Sequence, residues 1–273
     1  MNVLLAFSGI MAIALLTLLL IRLRYDRLVK QVWRSFKTPA TGSIFTHEMV
    51  ANLDEPVRRY FLHAIELGTP LASYVELKMS GGFKFKPDAE WLPMQAKEIV
   101  SMSSGFVWQA KIGRGLFKFS GADYHKQGKG RTKFFWGLIP LVDARNADVA
   151  RSSAARLAAE YIWLPSALLP HHNVVWQAIS NNTIQARFHL NAEPITLTLN
   201  INGDGKLCDI SLPRWSNDTE DRTWQYIPFG AEAKTEITLD GYTIPAQIDV
   251  GYWFGTEGYW AFFRAQIERA QFY

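Results

Sequence analysis

The period of hydrophobic and polar positions changes along the chain, and each change marks an element. Val3–Ile21 is uncharged and apolar on every helical face, the pattern of a helix that crosses a bilayer core at roughly 1.5 Å per residue. Residues 22–37 then carry Arg22, Arg24, Arg27, Lys30, Arg34 and Lys37 against one acid, Asp26, and continue that helix as a basic juxtamembrane stalk. A short linker, 38–43, leads to an amphipathic helix. Asp54 stands at its N-cap, Glu55 and Pro56 in its first turn, and Gly68 past its end. Val57, Tyr60, Phe61, Ala64 and Ile65 supply its apolar stripe.

From Ser73 the period becomes two. Val75, Leu77, Met79, Phe83 and Phe85 alternate with Glu76, Lys78, Lys84 and Lys86, and Gly81-Gly82 suggests a bend or bulge. Further strands are predicted near 91–102, 106–112, 115–126 and 131–139. An Ala-rich helical window, Ala147–Trp163, interrupts them and ends at Pro165. Strict alternation resumes at Ile184–Leu190, Ile195–Asn202 and Glu232–Leu239, with Asn181-Asn182, Asn202-Gly203 and Asp240-Gly241 as hairpin turns. Four or five strands, a helix, then six or seven strands predict a mainly β (α+β) chain. An N-terminal transmembrane helix (1–21) and a stalk with linker (22–43) precede one β-rich domain (44–273). That domain is an antiparallel meander, an open half-barrel with the central helix packed in its concave face.

Charge placement changes what the basic pI of 9.1 implies. The stalk holds a net +5 while the whole chain holds +4, so 38–273 is close to neutral at −1. The basicity belongs beside the membrane helix, where anionic headgroups and topology account for it, and it does not indicate a nucleic-acid partner. The run lacks a basic n-region and a small-x-small cleavage site, so an uncleaved single-pass anchor in the cell (inner) membrane is expected. The positive-inside rule then puts the domain in the cytoplasm. Cys208 is the only cysteine, which excludes an intramolecular disulfide and Cys-based metal sites.

Catalytic motifs are absent. The Gly121–Gly130 stretch has neither the spacing nor the Ser/Thr of a phosphate loop and reads as a hairpin turn. His47-Glu48 lacks the second His of a zinc pair, since Ala51 stands in its place, and His171-His172 read as a solvated loop. No cofactor and no metal are expected. The densest unusual segment is Arg156–Pro170. Arg156 and Glu160 share a helix face, and Tyr161, Trp163, Leu164, Leu168 and Leu169 follow. This segment either fills the concave face as core or lines a hydrophobic cavity there.

Pro56-Val-Arg-Arg-Tyr60, Gly105-Phe-Val-Trp108, Asp123-Tyr124 with Gly128 and Gly130, and the Arg156…Glu160…Trp163-Leu-Pro165…Pro170 block resemble an uncharacterised bacterial family, a domain of unknown function, over most of 53–273. The order of elements is also similar to LolA/LolB-like lipoprotein carriers. That likeness implies an open half-barrel with acyl chains in its concavity and a place outside the cytoplasm, against the orientation that the charges favour. The leading expectation is a membrane-anchored binding domain holding a lipid or acyl chain. Trp108, Phe117, Phe119, Trp136, Trp163 and Leu168 would line the cavity, and Asp123, Arg156 and Glu160 would be its polar groups. One alternative is a membrane hydrolase or transferase using Asp123, Asp143, Glu160 and Arg156 for acid/base work. Another is a protein-interaction module with Trp215, Trp224, Trp253 and Trp260 in one exposed patch.

Overall fold

The computed structural model describes residues 2–39, 42–102 and 105–273. Met1, and Ala40 and Thr41 of the expected linker, lie outside the described residues. Helix α1 (Asn2–Ser35) runs without a break through the apolar stretch and the basic one. Among the described residues it is the one helix long and apolar enough to cross a membrane. Its first half is exposed at Phe7, Ile10, Ile13 and Leu16, whereas Tyr25, Val29, Val32 and Phe36 are buried. These four recur at helical spacing, so they form one face. The basic stretch expected as a stalk is thus a docked helix whose charges occupy the other faces.

Among the described residues, thirteen strands form a single antiparallel sheet. In the first half are β1 (Tyr74–Phe83), β2 (Leu92–Ser101), β3 (Gly105–Arg114), β4 (Phe117–Lys126), β5 (Lys129–Trp136) and β6 (Ile139–Ala144). In the second are β7 (Val175–Ala178), β8 (Thr183–Leu190), β9 (Glu193–Ile201), β10 (Leu207–Ser216), β11 (Gln225–Leu239), β12 (Tyr242–Tyr252) and β13 (Trp260–Phe272). Each half is a hairpin-linked meander. The first and last strands pair at the centre, Val75 opposite Phe272, and β6 and β7 are the two edges. This is the expected open half-barrel. It has one strand more before the central helix than the alternation predicts, because β6 (IPLVDA) is a short edge strand exposed on both faces and carries no period-two signal.

The turns and irregularities refine the expectations. The β4–β5 turn is Gln127-Gly128, both in the left-handed region, and Gly121 lies inside β4. The irregularity in β1 falls between Lys78 and Met79. Gly81 instead permits close approach, since a Cβ there would collide with the Arg264 carbonyl of β13.

Two helices cover the inner face. α2 (Glu55–Ala64) buries Val57, Tyr60 and Phe61. The Asp54 side chain does not cap it; it accepts instead from the Ala178 amide of edge strand β7 at 2.7 Å. α3 (Ala147–Glu160) starts at Asn146, whose side chain accepts from the Val149 amide, and connects β6 to β7 across the concavity. Its buried Ala154, Ala155 and Ala158 allow close packing on the sheet. Three 3-10 turns follow, Tyr161–Trp163, Pro165–Leu168 and Pro170–His172. Leu164 and Leu168 are fully buried there, and Trp163 and Trp176 tie the segment to the Pro245 and Leu168 carbonyls.

Two separate hydrophobic clusters result. The large one lies between the sheet's inner face and α2, α3 and the 3-10 turns. The small one lies on the outer face, where Tyr25, Val29, Val32 and Phe36 of α1 meet Ile99, Val107, Ala122 and Phe135.

Candidate functional site

The inner face is filled at one end only. Residues 161–169 plug the end near the start of β1, with Tyr161 donating to the Met102 carbonyl and Ser166 to that of Ala72. At the other end α3 bridges the two wings of the sheet and leaves a cavity of about 450 Å³, within the range of small-molecule sites, about 300–1,000 Å³. The segment that could fill or line the concavity does both: Leu168 is core, while Trp163 is wall. Inward-facing aromatics on adjacent strands make most of the lining. Trp108 meets Phe134 and Phe263 at ring-centroid distances of 6.1 and 5.9 Å, and Tyr252 stacks on Phe262 at 4.9 Å. The aromatic richness of the chain is thus concentrated in a wall.

A polar row crosses this wall. Glu98 (β2), Trp108 (β3), Asp123 (β4) and Thr132 (β5) are directly opposite one another in successive ladders. Arg156 descends onto the row from α3. It donates to Glu160 at 2.6 Å, to Asp123 at 2.8 Å and to Glu98 at 3.3 Å. Its guanidinium lies 4.6 Å from the Phe106 ring centroid and 5.1 Å from that of Trp108. Burial disfavours the arginine charge, but the three carboxylates outweigh it and its pKa is raised. Burial, then the charge of Glu160, pushes the Glu98 carboxyl well up. Burial also raises Glu160, against the pull of Arg156. Burial thus favours the protonated form at both Glu98 and Glu160, while Arg156 holds Glu160 and Asp123 at its two shortest contacts.

Two buried polar atoms of the row, Trp108 Nε1 and Asp123 Oδ1, have no hydrogen-bond partner among the described residues. On the opposite wall Arg214 (β10) lies over Phe229 and Tyr252 at 4.6 and 5.6 Å, and its Nε donates to Ser152 Oγ of α3 at 3.2 Å.

Of the expected lining residues, Trp108, Phe119 and Trp163 are in the cavity wall, together with Asp123, Arg156 and Glu160. Phe117 and Trp136 are not. They share the inward parity of their strands but stand past the cavity at the hairpin ends, where Phe117 is 73% exposed and the Trp136 indole donates to the Leu116 carbonyl. Leu168 is not in the wall either, being packed in the core. Asp143 is outside the cavity. Bidentate donation from Arg131, with Lys133 on the same carboxylate, lowers its pKa to about 2, which removes it as an acid/base group. The four tryptophans proposed as a patch are all half-buried. Trp253 and Trp260 donate to Asp218, Trp215 donates to Asp148, and Trp224 lines the cavity. Glu98 and Arg214 escaped sequence reasoning. A signal for both existed, since each sits at the inward parity of a strand, Glu98 with Met94, Ala96 and Val100, and Arg214 with Ile210 and Leu212. Among the described residues no group of His, Cys, Asp and Glu is arranged to hold a metal ion.

The Trp108, Asp123 and Arg156–Pro170 motifs fall on this site or the plug beside it, the Pro56–Tyr60 motif falls on α2, and residues 51–272 match the family of unknown function DUF6920. The chain belongs to that family. No curated protein matches it. Among solved structures it is similar to a LolA superfamily protein from Nitrosomonas europaea at 9% identity, covering 80% of this chain and 92% of that one with a TM-score of 0.41. It is likewise similar to a DUF1329 family protein from Desulfovibrio piger at 7% identity, covering 83% and 91% with a TM-score of 0.40. DUF6920 has no assigned reaction, so chemistry here rests on the cavity itself.

Proposed function

We propose that this chain is a membrane-anchored binding domain that takes an apolar ligand, a lipid or an acyl chain, into the half-barrel. The observation that carries the reading is the aromatic-walled cavity of about 450 Å³, too large and too apolar to be ordinary packing slack.

The placement of α1 supports the membrane part. Arg22 Nη1 donates to the Ser120 carbonyl, Tyr25 Oη to that of Ala122, and Lys126 Nζ to Ser35 Oγ. Helix and strand β4 therefore run side by side in the same direction, each covering roughly 20 Å over this contact. Extended toward its N-terminus, β4 reaches its hairpin tip roughly 10 Å beyond Ser120, beside the apolar half of α1. Leu116 and Phe117 at that tip are 82% and 73% exposed, and Trp136 and Ile139 of the next hairpin are exposed as well. An anchor crossing the bilayer would carry these tips to the headgroup boundary, with the cavity opening next to them. The basic flank supports a cytoplasmic domain, which fusions of alkaline phosphatase and green fluorescent protein at the C-terminus would test.

The direct test is native mass spectrometry of the full chain released from detergent. Retained lipid, with its loss on filling the cavity by Ala231→Trp, is the expected result. A lipid-free chain that also takes up no fluorescent lipid overturns the reading. A hydrolase or transferase is the second reading, favoured by Glu98 and Glu160, buried carboxyls of raised pKa in a concave site. It requires that a bound acyl ester be cleaved and that Glu160→Gln stop the cleavage. Unchanged ester after prolonged incubation removes it.

A further inference from the structure

The cavity's polar groups are separated by sign. On the β4 side, three carboxylates surround the single guanidinium of Arg156, and Asp123 Oδ1 is a buried acceptor without a partner among the described residues. On the β10 side, Arg214 forms no ion pair among the described residues. Its one side-chain partner there is Ser152, a neutral hydroxyl. Arg214 is half-buried against two aromatic rings; Glu160 acts on it only at long range, so most of its donors remain free for an anion, which a guanidinium binds by charge-assisted hydrogen bonds.

Helix α3 sets the spacing. Ser152, which touches Arg214, and Arg156, which touches Asp123, are four residues apart on one face. The positive and negative sites therefore stand roughly one helical turn apart along α3. Trp108 Nε1, opposite Asp123 in the β3–β4 ladder, adds a neutral donor beside the acceptor.

We infer that the ligand is a zwitterionic amphiphile, with a phosphate on Arg214 and Ser152 and a primary ammonium on Asp123. This is the chemistry of an acylated phosphoethanolamine, whose two charges are separated by a two-carbon bridge. Trp108 donates to an oxygen of the same head, and the acyl chain lies on the aromatic wall of Phe119, Phe134 and Phe262. A carboxylate-headed amphiphile would satisfy Arg214 but leave Asp123 Oδ1 without a partner. An amine-headed one would do the reverse. The inference rests on the cavity being a lipid site.

The test uses the full chain in detergent micelles and lysolipids of one chain length with brominated acyl chains, read by quenching of the cavity tryptophans. Lysophosphatidylethanolamine is expected to bind about ten-fold tighter than lysophosphatidylglycerol, the weight of one charged hydrogen bond, and lysophosphatidylglycerol about ten-fold tighter than monoacylglycerol, the weight of a second. Asp123→Asn should remove its advantage over lysophosphatidylglycerol. Arg214→Gln should weaken both phospholipids and leave monoacylglycerol unchanged. Because Asp123 also pairs with Arg156, the Arg214 variant gives an independent reading if Asp123→Asn unfolds. Equal binding of all three lipids, or a preference for the two phospholipids over monoacylglycerol that survives Arg214→Gln, overturns the inference while leaving the lipid cavity standing. If none quenches, the cavity reading itself fails.

Discussion

The two faces of one sheet solve the same problem differently. On the outer face, a straight helix lies along β4, and Tyr25, Val29, Val32 and Phe36 close over Ile99, Val107, Ala122 and Phe135 in a dry seam. On the inner face, α3 crosses from one edge of the sheet to the other. It can pack tightly only where the 3-10 turns fill the curve, so volume and charge remain beneath it. Neighbouring residues divide between these fates: Phe135 is fully buried in the outer seam, and Phe134 borders the cavity. A helix running along the strands seals a surface. One bridging a curved sheet leaves a site.

The largest test of this contrast is truncation. Removing residues 1–21 should leave a folded domain, whereas removing 1–37 strips four buried side chains worth roughly 6 kcal/mol or more together, comparable with a domain's total stability of about 5–15 kcal/mol. Size-exclusion chromatography should show the shorter fragment aggregating. Two fragments of equal denaturant midpoint would mean that the stalk is an ornament on the sheet.

Arg156→Met comes next. It leaves buried carboxylates without their cation and should cost about 3–5 kcal/mol at neutral pH. The loss should shrink on acidification toward pH 4, because protonation relieves the carboxylates. Urea unfolding at both pH values measures it, and a pH-independent loss would count against the charged cluster.

The adjacent phenylalanines give a finer comparison. Phe135→Ala should cost about 3–5 kcal/mol, as a packed aromatic does, while Phe134→Ala, which enlarges existing space, should cost under about 2 kcal/mol. Equal costs would show the inner face to be as tightly packed as the outer.

The smallest effect concerns acid. His125 is buried, hydrogen-bonded to Ser153 Oγ at 2.9 Å and to Asn191 of the β8–β9 turn at 3.1 Å, so it clasps β4, α3 and the opposite wing together. Burial lowers its pKa to about 4. The unfolded chain takes up the proton first, so this contribution is complete above pH 6.5 and is lost as pH falls toward 4. Hydrogen exchange at 125–130 and 189–193 should rise over that window while the outer seam at 25–36 does not. His125→Gln should remove the difference.

Much of this arrangement was legible in the chain. Alternation set the strands and their inward faces, and the Ala-rich window set the central helix. Parity also marked Asp123 and Trp108, and it could have marked Glu98. It could not separate Phe119 in the wall from Phe117 at the tip, two positions on the same face of one strand, because parity gives the side of a sheet and not the distance along it. The docked half of α1 was hidden for a related reason. Its charges dominate the composition of 22–37, and the four apolar positions between them have meaning only when a sheet face is there to receive them.

The sequence by itself determined the local facts: which segments are helical or extended, which side chains point inward, and where the positive charge is concentrated. These depend on backbone sterics and periodicity within a few residues. Only the tertiary structure decided that Glu98, Trp108 and Asp123 form one row, that Arg156 reaches it while Arg214 stands on the far wall, and that the basic stalk is a packed element. The contacts of Arg156 and of the stalk span 33 to 98 residues of chain. They are fixed by strand register and by the path of α3 across the curve, neither of which has a local signature.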